Sequence, residues 1–465
     1  MEKVTHYINQ NRQTYINELC EVLKIPSVSS QKEHHPDVLK TAQWFADQMK
    51  RIGLENVQTL ATGKNSNGSG EGNPVIYADW LRAPGKPTIL IYGHYDVQPV
   101  DPVNLWNTPP FEPTIRNNEL YARGASDDKG QTFLHLKAIE AHLKIHQALP
   151  CNVKFCLEGE EEIGSEHLDD FLKTHQSLLK ADQVMISDTS MFDYEVPSIC
   201  YGLRGLAYLE VEVSGANTDL HSGSFGGTVG NPIHILTSMI TQLHDRNEKI
   251  TVPGFYKDVR PLSKQERANF KKLPFSDKKY SKMLGVKALV GEKGYSTLER
   301  MWARPTLDCN GIWGGYTGEG AKTVIPNKAY AKISMRLVPN QKPEKIAKLF
   351  EKYLYQIAPK SVTIKIKNLH GGNPAITPLD SPGVKAAFLA MEKAFGKKPV
   401  YQMEGGSIPI VLSFKEILGL ETVLMGFGLP DENSHAPNEK LNLNNFHRGI
   451  LSAAYFLDEF AKQFS

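Results

Sequence analysis

Acids and histidines gather at five places in this 465-residue chain. Gly93-His94-Tyr95-Asp96 follows the apolar run 88–92. Alternate residues of an extended segment point the same way, so His94 and Asp96 share a face. That arrangement suits an imidazole offering one nitrogen to a metal while a carboxylate steadies the other. Ser126-Asp127-Asp128-Lys129-Gly130 sets paired acids in a glycine-rich turn opening a helical segment. Glu158-Gly159-Glu160-Glu161-Glu162 ends a strand-like run with three adjacent glutamates, which repel one another unless cations neutralise them. Ser187-Asp188 closes another such run, and His435 lies in the late polar loop 431–439. Each has an ordinary explanation alone: Asp127 and Asp188 as helix caps, the glutamates as a solvated turn. Together they supply one histidine and several carboxylates to each of two positions, the ligand mix of Zn²⁺ or Mn²⁺. A carboxylate shared between two ions would hold them ~3.5–4 Å apart, as in two-metal hydrolases.

Such residues converge only if the elements carrying them end together. Residues 75–190 alternate β-rich runs (75–78, 88–92, 152–157, 183–187) with helical stretches (130–146, 165–179). This pattern predicts βαβ units around a largely parallel sheet, whose ligand sites lie beyond the carboxyl ends of the strands. After about residue 200 the apolar–polar alternation of 206–213, 329–337 and 362–366 predicts strands with one solvated face. Helical pieces at 232–243 and 343–355 lie between them, and 255–300 is Lys-rich and polar. From about 380 the first texture returns, with a helix at 382–395, a strand at 421–425 and a terminal helix at 445–463. The expected fold class is α/β: a catalytic domain of residues 1–200 and 378–465, interrupted by an inserted α+β lid or dimerisation domain of residues 201–377. Residues 65–72 form a polar, glycine-rich loop.

Composition narrows the function. Lys and Arg number 53 against 51 Asp and Glu, a net charge of +2 that gives no support to a nucleic-acid binder. No apolar run approaches the ~18 residues of a membrane span, and the polar first residues show no secretory signal. Five cysteines without CxxC spacing argue against a disulfide framework or a zinc ribbon and predict a cytoplasmic protein. Gly315 to Gly320 has phosphate-loop spacing, but Ala321 stands where lysine is required. His142 and His146 lack the adjacent glutamate of a zinc helix and read as surface histidines.

The motifs Gly93-His94-Tyr95-Asp96-Val97-Gln98-Pro99, Ser126-Asp127-Asp128-Lys129-Gly130, Glu161-Glu162-Ile163-Gly164-Ser165, Ser187-Asp188 and Ser434-His435 occur in one order. That order resembles the co-catalytic metallo-exopeptidases that include carnosinases and cytosolic non-specific dipeptidases. The likeness spans nearly the whole chain. It includes Asp219-Leu220-His221-Ser222-Gly223, residues 321–326, Met335-Arg336-Leu337-Val338-Pro339-Asn340, His370-Gly371-Gly372 and Glu404-Gly405-Gly406-Ser407. The resemblance implies two divalent ions, Zn²⁺ or Mn²⁺, bridged by Asp127. His94 and Asp188 would complete one ion's ligands, Glu162 and His435 the other's. It also implies Glu161 as general base and acid, Asp96 as orienter of His94, and a cis peptide between Asp127 and Asp128. Registering from Gly164-Ser165 leaves Glu160 outside the site.

The implied chemistry is hydrolysis of dipeptides or short peptides by a hydroxide shared between the ions, its proton taken by Glu161. His221, from the lid and often from the neighbouring subunit of a homodimer, would stabilise the oxyanion. Arg336 would grip the substrate carboxylate, with Thr323, His370, Gly406 and Ser407 as further contacts. The alternative on the same fold is an amidohydrolase of N-acyl amino acids.

Overall fold

A computed structural model describes residues 1–64, 70–406 and 408–464. Most of the expected loop at 65–72, and Ser407, therefore lie outside the described residues. The chain divides into two compact units. One comprises Met1–Tyr201, Thr377–Gln402 and Ile410–Ser465; the other comprises Gly202–Ile376 and Met403–Pro409.

In the first unit the strands Asn152–Glu158, Thr88–His94, Gln183–Ile186 and Thr422–Leu424 lie side by side and parallel. Val75–Trp80 and Glu55–Leu60 extend this sheet antiparallel on one side, and Ser198–Leu203 adjoins Thr422–Leu424 antiparallel on the other. The parallel strands are buried almost throughout, which accounts for their unbroken apolar runs. His94 pairs with Glu158 and Tyr92 with Ile186, so the acidic segments leave the sheet at one edge.

Helix Lys129–His146 packs on Thr88–His94 and against the terminal helix Leu443–Gln463, which in turn covers Pro382–Phe395. Covered in this way, the helix is buried from Lys129 through His142. His142 is thus not a surface histidine: its ring meets the Ala454 carbonyl at 3.1 Å, whereas His146 is exposed. Gly93 is required where strand and helix meet, because a Cβ there would lie 1.9 Å from Thr132 Oγ1. The single helix expected over 165–179 is two, Leu168–Thr174 and Gln176–Leu179, separated at His175.

The second unit is built on an antiparallel sheet ordered Thr306–Gly314, Lys328–Leu337, Gly205–Ser214, Thr363–Gly372. Ala207, Leu209, Val211 and Val213 alternate with half-exposed neighbours, and the buried face packs on helices Pro232–Thr241 and Pro343–Ile357. Helices Lys264–Lys272 and Thr297–Trp302 in the Lys-rich stretch each begin with a capping box, Ser263 with Glu266 and Ser296 with Glu299. The strand Thr306–Gly314 escaped the periodicity reading because its register shifts between Cys309 and Gly311, breaking the alternation. Met403–Pro409 clusters with this unit: the Arg204 backbone N–H donates to Gly406 O and its Nε to Gly405 O, both at 3.1 Å.

Candidate metal centre

His94 ends its strand fully buried. Its Nδ1 faces the backbone oxygen of Asp96 at 3.1 Å and the Asp96 carboxylate at 3.4 Å, so the nearer partner is the carbonyl. With Nδ1–H donating there, Nε2 presents its lone pair toward Asp127 Oδ1 at 3.1 Å and Asp188 Oδ2 at 3.8 Å. The other oxygen of Asp127 lies 3.0 Å from His435 Nε2, which is also 3.2 Å from Glu162 Oε2. Two groups result, His94–Asp127–Asp188 and Asp127–Glu162–His435, and Asp127 gives one oxygen to each.

The surroundings hold these side chains in place. The Asp96 carboxylate accepts from Ser29 Oγ at 2.6 Å and from the Glu162 backbone N–H at 3.1 Å, tying the His94 strand to the glutamate turn. Gln98 Nε2 donates to Glu162 Oε2 at 2.8 Å. Glu160 turns away: it accepts from the Asn73 N–H at 2.9 Å and pairs with His167 at 2.7 Å, as the register from Gly164-Ser165 requires. Glu161 opens the short 3₁₀ turn Glu161–Ile163 and belongs to neither group. The Asp127–Asp128 peptide is cis.

Burial and crowding of like charges set the protonation of this cluster. Burial, reinforced by Asp127 and Asp128, raises the Asp188 pKa well above the carboxylate range. Burial pushes Glu161 up to about 7; His94 opposes the shift, while Glu162 and Asp127 add to it. Hydrogen bonds to Asp127 and Glu162 lift His435 to about 10. Burial alone would favour a neutral Asp127, but the adjoining imidazoles of His435 and His94 keep it ionised. Each imidazole Nε2 thus faces two carboxylate oxygens that only a proton or a cation can bridge.

The donor set fits a divalent cation. Bonds of ~2.0–2.2 Å at tetrahedral angles place ligand atoms about 3.3–3.6 Å apart. The Nε2–oxygen separations run from 3.0 to 3.8 Å. Nitrogen and carboxylate donors without thiolate suit Zn²⁺ or Mn²⁺.

The remaining candidates lie in the second unit. His221 sits beside Thr323: strand Leu220–His221 pairs with Val324–Ile325, and the Ser222 N–H donates to Thr323 O at 3.0 Å. His221 Nδ1 accepts from the Gly223 and Ser224 backbone N–H groups at 3.0 and 3.2 Å. Arg336 and His370 lie on strands flanking Gly205–Ser214, with Arg336 opposite Leu206 and His370 opposite Tyr208. Gly406 is held through its carbonyl by Arg204. Sequence reasoning assigned no role to Gln98 or Ser29. The ligand that Gln98 reaches is Glu162, 64 residues further along the chain, so no local spacing signals it.

Asp127 thus links two imidazole–carboxylate groups at the carboxyl edge of a mainly parallel sheet. Residues 90–459 match the sequence profile of Peptidase family M20/M25/M40, and the chain belongs to that family. It is 33% identical over 469 residues to the Cys-Gly metallodipeptidase dug1 of Schizosaccharomyces pombe, covering 99% of this chain and 98% of that one. The crystal structure of human carnosine dipeptidase 1 superposes with a TM-score of 0.87 at 32% identity, covering 99% and 98%. An M20 family metallo-carboxypeptidase from Sulfolobus solfataricus does so with a TM-score of 0.84 at 35% identity, covering 96% and 99%.

Proposed function

We propose that the protein is a metallodipeptidase that hydrolyses dipeptides or short peptides with two divalent ions, Zn²⁺ or Mn²⁺. The observation that carries this reading is Asp127, whose two oxygens face two different imidazole groups. His94, Asp127 and Asp188 would hold one ion, and Asp127, Glu162 and His435 the other. Bound ions would supply Lewis acidity and bring the pKa of a water from ~15.7 toward ~7. Glu161, outside both groups, takes the proton of the attacking water and returns it to the leaving amine. Asp96 and its carbonyl hold His94 in the tautomer that leaves Nε2 free.

His221 is suited to the oxyanion: because its Nδ1 accepts two backbone hydrogen bonds, its neutral ring carries the proton on Nε2 and can donate it. Arg336 offers a planar fork to the substrate's C-terminal carboxylate, with Thr323, His370, Gly406 and Ser407 as further contacts. The reading includes a homodimer formed through the second unit, in which His221 serves the partner's centre. Exposed Phe225, Ile312, Trp313 and Tyr316 in that unit support it. A cytoplasmic setting is supported by five cysteines that are all free.

The named activities of the relatives point to dipeptides as substrates. The test is the purified protein loaded with Mn²⁺ or Zn²⁺ and offered Cys-Gly, β-alanyl-histidine, longer peptides and N-acetyl amino acids. Cleavage of the dipeptides in preference to the others is expected. Exclusive release from N-acetyl amino acids would establish the deacylase alternative.

A further inference from the structure

Glu439 lies four residues beyond His435 and is fully buried. Its Oε1 accepts from the backbone N–H groups of Ser126 at 3.0 Å and Asp127 at 3.1 Å. Its Oε2 accepts from Gly124 N–H at 3.0 Å and Arg123 Nη1 at 2.7 Å. Four donors converge on two oxygens, a demand only a carboxylate meets, because the amide NH₂ of glutamine would face two of them as a fifth donor. Arg123, equally buried, donates its Nη2 to Pro99 O at 2.9 Å. The neighbouring Gln98 binds Glu162. One buried ion pair therefore ties together the turn that carries Asp127, the loop that carries His435 and the segment that steadies Glu162. Those three residues are the whole of one ligand group.

The other group is anchored differently. His94 belongs to the strand ladder, and Asp188 follows Ser187, whose Oγ donates to Met425 O at 2.7 Å and meets His135 Nε2 at 2.8 Å. Among the described residues, the Glu439 and Arg123 side chains make no hydrogen bond to His94, Asp188 or Ser187; the two groups share only Asp127.

We propose that Glu439, acting with Arg123, is a positioning residue that selectively sets the affinity of the Asp127–Glu162–His435 group for its ion. The proposal rests on the two-ion reading above. Substitutions behind metal ligands commonly weaken binding 10–100-fold. The experiment is equilibrium dialysis of the chelator-stripped full chain against Mn²⁺ alone, with electron paramagnetic resonance to detect a coupled pair of ions.

The parent protein should bind two ions. Glu439→Gln should keep one with little change, bind the second at least tenfold more weakly, lose the coupled signal and resemble His435→Ala rather than His94→Ala. Arg123→Lys retains the charge but has one nitrogen to serve both Glu439 and Pro99, so it should shift the second affinity in the same direction by a smaller factor. If Glu439→Gln fails to fold, as judged by near-ultraviolet circular dichroism, Arg123→Lys decides the matter. Unchanged binding of both ions, or equal weakening of both, overturns the proposal. A parent protein that binds fewer than two ions removes the two-ion reading itself, and the proposal falls with it.

Discussion

Replacing Asp127 with asparagine should abolish the stabilisation that metal confers on the first unit. A ligand that binds only the folded state at 100 times its Kd adds about 2.7 kcal/mol per site, so two sites add about 5.5 kcal/mol. The first unit contains about 280 residues, and an unfolding entropy of ~2.1 cal/mol/K per residue amounts to about 0.6 kcal/mol/K. Mn²⁺ loading should therefore raise the melting temperature of that unit by about 9 °C. Asp127 contributes one oxygen to each ligand group, so Asp127→Asn should remove nearly all of this rise. His94→Ala and His435→Ala each dismantle one group and should leave about half. Differential scanning calorimetry with chelator and then with Mn²⁺ measures the difference within each variant, which cancels any change in the metal-free melting temperature. A rise in Asp127→Asn equal to that of the parent protein would refute the shared-carboxylate geometry. A rise fully lost in His94→Ala but untouched in His435→Ala would refute the second group.

Glu161→Gln should lower kcat by about 10²–10⁴-fold, the usual contribution of a positioned base, while leaving the metal-dependent melting shift intact. Steady-state kinetics and calorimetry on one preparation check both halves. If His221 serves the partner's centre, mixed dimers of His221→Ala and Glu161→Gln subunits should recover part of the activity that each lacks alone; silent mixed dimers would place His221 in its own subunit's chemistry. Glu432 gives a pH signature: burial pushes its pKa up from 4.5 to about 8 against the hydrogen bonds from Ser126 and Asn442. The folded state then binds the proton more tightly than the unfolded state, so the contribution of Glu432 to stability is full below about pH 4.5 and declines toward pH 8, by at most about 5 kcal/mol. Glu432→Gln should flatten that decline in urea titrations of the metal-free protein, and an unaltered slope would contradict it.

What could be read from the sequence follows from where each charge finds its counterpart. Three acidic or imidazole segments, at His94, Glu158 and Asp188, were legible because parallel strands deliver their carboxyl ends to one edge whatever covers the sheet; the Asp127 turn instead follows Glu119–Tyr121, a strand of a separate antiparallel sheet. The three glutamates 160–162 look equivalent in a string of letters. Their different fates are set by Asn73 and His167, which claim Glu160, and by Gln98 and His435, which claim Glu162. His142 was misread because the helix that buries it begins about 300 residues later, beyond the reach of any local periodicity. Nothing local marks Glu439, since its partners at 123–127 lie over 300 residues away. Charges that their own neighbourhood cannot balance announce a site to a reader of sequence. Charges balanced by a remote segment stay silent, and in this chain those silent pairs hold the announced ones in place. Asp127 is the clearest case: its carboxylate is conspicuous in Ser126-Asp127-Asp128, yet its backbone is held by a glutamate that only the folded chain brings near.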